Sequence, residues 1–363
     1  MSRNRLNLRN VVAIAICLAG FTAFLGCEKN TPEKYEQENN LPEDGSGIYA
    51  AGYSGNATTE NDAAAFWKDG NLYKAGLTSS FGYSIYVTDN DVYMVGKRRS
   101  GINIVSHGIS ITTIEYAMLW KFNNKKQEFE AEKQLSNNYS GANSVFVSGN
   151  DVYVAGYESI SQSHLDYTAA VLWKNSVIQH LPDDGEWSGA NSVFVSGKDV
   201  YVAGYKGSTP MLWKNGIAQQ LTGEGEANSV FVSGKDVYVA GFNKDKKPTL
   251  WKNGVAQQLL NEIGEANSVF VSGNDVYVAG HKKYGNSTVA MLWKNGVAQI
   301  LSDDTGVACS VYVSGNDVYV GGNERGSGVY EYSARLWKNG VTQSIKLEDG
   351  PYSMIMSVFV KGD

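Results

Sequence analysis

The chain has 363 residues, a formal net charge of −6, 40 glycines, 8 tryptophans and 3 cysteines. A chain this acidic lacks the overall electrostatic footprint of a nucleic-acid binder. Three cysteines exclude a disulfide framework as the source of its stability.

Residues 1–26 read as a targeting signal. Arg3, Arg5 and Arg9 form a basic start, followed by an uncharged apolar run from Val11 to Gly26. That run is shorter than the ~20 residues a membrane span needs, and its layout is that of a secretory signal peptide. It ends Phe24-Leu25-Gly26-Cys27, which resembles the lipobox of bacterial lipoproteins, although leucine is usual where Phe24 stands. The resemblance implies cleavage before Cys27 and lipidation of Cys27. With Glu28 rather than aspartate next, it also implies a cell-envelope address, lipid-anchored to a bacterial membrane and specifically the outer one. An ordinary signal peptide with an incidental cysteine is the alternative. Loss of residues 1–26 would remove three arginines and no acid, so a lipid, not surface charge, would make the membrane attachment. Cys17 would leave with the signal, which makes Cys309 a lone thiol and a half-apolar filler.

Residues 27–46 carry Glu28, Glu33, Glu36, Glu38, Glu43 and Asp44 with two prolines and little that is apolar. That composition predicts a flexible acidic tether.

From residue 47 to residue 363 one unit repeats. Its first piece, Ser-Val-Phe-Val-Ser-Gly or a close variant, begins at Ser84, Ser144, Ser192, Ser229, Ser268, Ser310 and Ser357. Its second carries Tyr49, Tyr93, Tyr153, Tyr201, Tyr238, Tyr277 and Tyr319; its third carries Trp67, Trp120, Trp173, Trp213, Trp251, Trp293 and Trp337. A short Val-Ala-Gln-Gln-like piece follows. Both alternating faces of the strand-like pieces are apolar or small, so each sheet needs cover on both sides. Asn215-Gly216, Asn253-Gly254, Asn295-Gly296, Asn339-Gly340 and Asp69-Gly70 predict tight type I′ hairpins. Four strands per repeat of roughly 40 residues are the mark of a propeller blade. The ordered chain opens on a second piece and closes on an unpartnered first piece. The expected fold is therefore all-β: a seven-bladed β-propeller with four antiparallel strands per blade. One blade is closed by the C-terminal strand, from Ser357, pairing with the N-terminal segment at Gly47.

The tyrosine, the following glycine and the later tryptophan resemble those of kelch-like and galactose-oxidase-like propellers. The kelch double glycine occurs only at Gly321-Gly322, and Ala155-Gly156, Ala203-Gly204, Ala240-Gly241 and Ala279-Gly280 replace it elsewhere. The resemblance implies architecture rather than membership, and nothing matches the copper ligands of an oxidase.

With both kinds of tight turn at one end, the variable connections gather at the other, where recognition is expected. The repeating tryptophans are expected to pack between blades, and the lysine after each to snorkel at the surface. Asn143, Asn191, Asn228 and Asn267 are expected to tie neighbouring blades by side-chain hydrogen bonds. The candidate ligand-binding residues are the aperiodic Trp187 with Asp183 and Asp184 of the same loop, and Tyr157, Tyr205, Phe242 and His281 after the second-strand glycines. Aromatic rings beside carboxylates suit a glycan or protein partner. Other acidic pairs, such as Glu224 with Glu226, look like solvated decoration. No catalytic set, metal-ligand spacing or cofactor motif is legible, and His107, His164, His180 and His281 show none. The expected function is a non-catalytic binding or scaffold module, monomeric, with a carbohydrate-active lyase or hydrolase using loop-face carboxylates as the alternative.

Overall fold

The structure is a computed structural model that describes residues 45–55, 62–103, 112–162, 165–302, 305–325, 332–343 and 352–362. The signal, Cys27 and the tether through residue 44 lie outside the described residues, as do His107 and His164.

Every regular element among the described residues is a β-strand. Strands Ser188–Ser196, Asp199–Lys206, Thr209–Lys214 and Ile217–Gln220 form one four-stranded antiparallel sheet, and four more sheets repeat this order. The sixth sheet has eight strands. It joins the run Gly306–Gln343 to a run built from Tyr352–Lys361, Gly47–Gly55, Ala63–Lys68 and Asn71–Thr78. Among the described residues only the parallel pair Tyr332–Tyr352 connects the two runs. The terminal strand pairs with Gly47–Gly55 from Gly47↔Lys361 to Gly55↔Tyr352, as the split repeat predicts. Each four-strand run is named below by the repeated serine, Ser84 to Ser357, of its innermost strand.

Neighbouring units are stitched together by two closed series of contacts. The backbone N–H groups of Val145, Val193, Val230, Val269, Val311 and Val358 donate to Ser84, Ser144, Ser192, Ser229, Ser268 and Ser310 Oγ at 3.1–3.2 Å. Ile85 N–H donates to Ser357 Oγ at 3.4 Å and returns the series to its start. Two residues along, the rings of Tyr86, Phe146, Phe194, Phe231, Phe270, Tyr312 and Phe359 touch in order, with centroids 4.8–5.1 Å apart, and Phe359 meets Tyr86 again. Repeating serine and phenylalanine are thus ring-closing residues, a role that reading each strand alone does not disclose.

Apolar cover comes from the next unit. Tyr153, Ala155 and Leu172 of the Ser144 unit share a buried cluster with Val193, Val202, Met211 and Trp213 of the Ser192 unit. Tyr319, Ala334 and Leu336 likewise share one with Trp67, Ile355 and Val358 of the closing unit. All seven repeat tryptophans are fully buried, as expected.

The turns follow their sequence. Asn215 and Gly216 have φ of 52° and 79°, and Gly197 opens the other turn type at 61°. Lys174, Lys214, Lys252, Lys294 and Lys338, each after a tryptophan, lie at the surface as expected, and each also has a fixed partner. Lys214 Nζ pairs with Asp199 Oδ2 at 2.8 Å and lies 5.1 Å over the Tyr201 ring. Asn215 bonds the same aspartate at 2.8 Å. Lys174, Lys252, Lys294 and Lys338 repeat the pairing at 2.7–2.8 Å. The lysine hydrogen bond holds each aspartate below the usual carboxylate range.

The single double glycine has a packing cause. A Cβ on Gly321 would meet Val358 Cγ2 and approach Ile355 Cγ2 to 2.6 Å. Ile355 fills the slot that Ala142, Ala190, Ala227, Ala266 and Ala308 fill elsewhere. Gly321→Ala should therefore cost about 1–3 kcal/mol by overpacking, read in urea melts.

Candidate functional site

Each innermost strand begins four residues before the repeated serine, or five in the closing unit. It carries a bulge at the residue preceding that serine, because the ladder skips from Ala190 to Ser192 and its equivalents. The bulged residues are Tyr83, Asn143, Asn191, Asn228, Asn267, Cys309 and Met356. A bulge leaves one residue out of the ladder and re-aims its side chain. The asparagines use theirs between units: Asn143, Asn191, Asn228 and Asn267 Nδ2 donate to Ala190, Ala227, Ala266 and Ala308 carbonyls at 2.9–3.2 Å. That uses one N–H of each amide; Asn191 Nδ2 also donates to Glu226, and its Oδ1 accepts Asn143 Nδ2 at 3.5 Å. Cys309 fills the same slot as a neutral thiol, its pKa pushed up to about 12 by burial.

Beyond the bulges lies the mouth. Tyr157, Tyr205, Phe242 and His281 occupy one register position in four successive units, opposite Gly141, Gly189, Glu226 and Glu265. The two tyrosines need those glycines, because an added Cβ would lie 2.8 Å from either ring. Where glutamate replaces glycine, the ring opposite is Phe242, which is buried, or His281. Burial lowers the His281 pKa and keeps the imidazole neutral, with Nδ1 buried and unpartnered.

Glu226 corrects the reading of the acidic pairs as solvated decoration. Burial, opposed by an Asn191 hydrogen bond at 3.0 Å, raises its pKa, and Glu265 raises it further. Burial raises Glu265 as well. A carboxyl whose folded pKa exceeds its unfolded value is destabilising above that unfolded value, and the penalty lifts as pH falls through the folded pKa. Glu226→Gln and Glu265→Gln should each raise Tm by about 1–3 °C at pH 7 and leave it unchanged near pH 4. Calorimetric scans at the two pH values check this.

A second polar group flanks the mouth on the Ser84 and Ser144 units. The buried Glu115 takes Lys97 at 2.8 Å, Arg99 at 3.0 Å and the Tyr139 hydroxyl at 3.3 Å. Burial alone would raise its pKa, but the two cations hold it below the usual value. Asp91–Asn103 and Thr112–Asn123 pair through Lys97 and Glu115, so both lie on strands. Gly207 and Ser208 connect Lys206 to Thr209.

The loop candidates are tied to local work. Asp183 accepts Gly185 N–H at 3.0 Å and the Ser188 hydroxyl at 3.3 Å. Asp184 pairs with Lys206 at 2.7 Å. Trp187 is 59% exposed, and its carbonyl accepts Gly207 N–H at 2.7 Å. Sequence reasoning missed Glu265, Glu115, Lys97 and Tyr83. The available signal was the exchange of glycine for glutamate at one repeat slot. Among the described residues no group of three or more His, Cys, Asp or Glu side chains is placed to hold a metal ion.

Residues 224–245, 263–284 and 305–326 match the family model described as the LVIVD repeat. Each match runs along the first two strands of a unit. No curated protein matches the chain in sequence. Among solved structures, the uncomplexed acylaminoacyl peptidase of Pyrococcus horikoshii is similar at 12% identity and a TM-score of 0.51, over 83% of this chain and 51% of that one. An acylaminoacyl peptidase bound to a chloromethyl ketone is similar at 11% identity and a TM-score of 0.51, again over 83% and 51%. TolB from Acinetobacter baumannii is similar at 15% identity and a TM-score of 0.41, over 74% and 66%. The chain spans about half the length of the two peptidases. At these identities the likeness concerns fold alone; the likeness to the two peptidases, the repeat match and the sheets described above together make this chain a β-propeller.

Proposed function

We propose that the chain is a seven-bladed propeller that acts as a non-catalytic binding or scaffold module, recognising a protein or glycan partner at the mouth of its loop face. The blade count follows from reading the eight-stranded sheet as two blades bridged by Tyr332 and Tyr352. Its kelch-like character extends to architecture only. The observation that carries the functional reading is the mouth slot: four successive units place Tyr157, Tyr205, Phe242 and His281 in register around bulged asparagines. Rings, amide oxygens and carboxylates on rigid strands form a preorganised surface, which lowers the ordering cost of binding. The proposed anchor is lipid on Cys27, at the outer membrane, with a monomeric propeller beyond the tether.

Immobilised protein probed with glycan and protein arrays tests this. A ligand retained by the native chain and lost with Tyr157→Ala/Tyr205→Ala supports the siting; unchanged retention refutes it. The carbohydrate-active alternative keeps one favourable observation, the adjacent Glu226 and Glu265 with raised pKa values. New reducing ends or unsaturated products from a polysaccharide panel, removed by Glu226→Gln or Glu265→Gln, would establish it instead.

A further inference from the structure

One corner of the mouth carries more negative charge than the fold uses. Glu226 and Glu265 stand in the slot where the preceding two units have glycine, on adjacent innermost strands. Glu226 takes one amide hydrogen bond from Asn191. Among the described residues no hydrogen bond or ion pair holds the Glu265 carboxylate. A half-buried carboxylate left this way opposes folding, so its retention points to a use outside the fold.

The corner already accommodates one alkylammonium. Lys246 Nζ lies 3.6 Å from the Phe242 ring centre and within electrostatic reach of both carboxylates, without an ion pair to either among the described residues. Its backbone is fixed for the purpose. Lys246 has φ of 55°, its N–H donates to the Asn243 carbonyl at 2.8 Å, and its carbonyl accepts Gly264 N–H at 2.7 Å. Asn228 and Asn267 each spend one of their two N–H donors on Ala266 and Ala308 and keep their Oδ1 acceptors. An ammonium brings three donors and no acceptor, whereas a sugar hydroxyl brings both. A face of phenylalanine beside paired carboxylates is a cation site in its elementary form.

Resting on the reading of the mouth as a recognition face, we infer that the Glu226–Glu265–Phe242 corner binds an alkylammonium group of a protein partner, a lysine side chain, with Lys246 holding its place in the unbound chain. Calorimetric titration of the full chain with acetyl-Gly-Lys-Gly-amide, its Nε-acetylated twin and free cadaverine tests this. The lysine peptide should bind at least about tenfold more tightly than its twin, and Glu265→Gln should remove that advantage. Lys246→Ala should tighten binding severalfold by removing the resident competitor. Glu265→Gln is near-isosteric, and a melting curve confirms that it folds. Cadaverine binding as tightly as the peptide supports the ammonium chemistry with a free amine as its source. Equal affinity for the two peptides, or no binding of any probe, overturns the inference. A partner lost with Tyr157→Ala/Tyr205→Ala yet indifferent to Glu226→Gln and Glu265→Gln overturns it while leaving the recognition reading intact.

Discussion

Removing Ser357 through Asp363 should abolish cooperative folding of the entire propeller, not merely fray its end. These residues supply half of the innermost strand of the closing unit and its ladder with Gly47–Ala51. They supply both hydrogen bonds that complete the serine series, from Val358 to Ser310 and from Ile85 to Ser357. They also supply Phe359, which joins Tyr312 to Tyr86, and Val358 and Val360 of the last buried cluster. Three apolar side chains at about 1.5–3 kcal/mol each approach the whole 5–15 kcal/mol stability of a typical domain. The deletion also exposes Gly47–Ala51 as an unpaired edge, with an aggregation hazard to match. Circular dichroism melts should show no sharp transition for the shortened chain.

Trp213→Ala should cost about 3–5 kcal/mol, the range for emptying a buried aromatic site. Trp213 is fully buried among Tyr153, Leu172, Val193 and Val202, and its Nε1–H donates to the Pro182 carbonyl at 3.2 Å. Trp187→Ala, at an exposed loop position, should stay within about ±0.5 kcal/mol. Urea titrations of both variants separate the two kinds of tryptophan. Equal losses would contradict the assignment of periodic tryptophans to the core and Trp187 to the surface.

Much of the fold was legible because each strand repeats a pattern that works only with sheets on both sides. Asn-Gly turns, buried tryptophans and the split repeat all translated directly, because each rests on local stereochemistry or on amphipathic period. What stayed hidden depends on residues meeting across units. Nothing in Ser144 alone says that its hydroxyl receives Val193 N–H, and nothing in Lys214 says that Asp199 waits beside it. The bulge hid the mouth. By leaving Asn191 out of the ladder it shifts the register, so a simple alternation count misplaces Gly189, Glu226 and Glu265. The aromatic candidates were found because they follow an obvious glycine. The carboxylates were missed because one looked like a loop charge and the other like background.

Site-specific photo-crosslinking in intact cells tests the proposed recognition at the mouth most directly. A benzophenone side chain placed at Tyr157 or at Trp187 should give a discrete crosslinked product. The same group at Val255 or Val297, exposed on the outermost strands, should give none. Products of equal yield from all four positions, or from the outer strands alone, would contradict the assignment of recognition to the loop face.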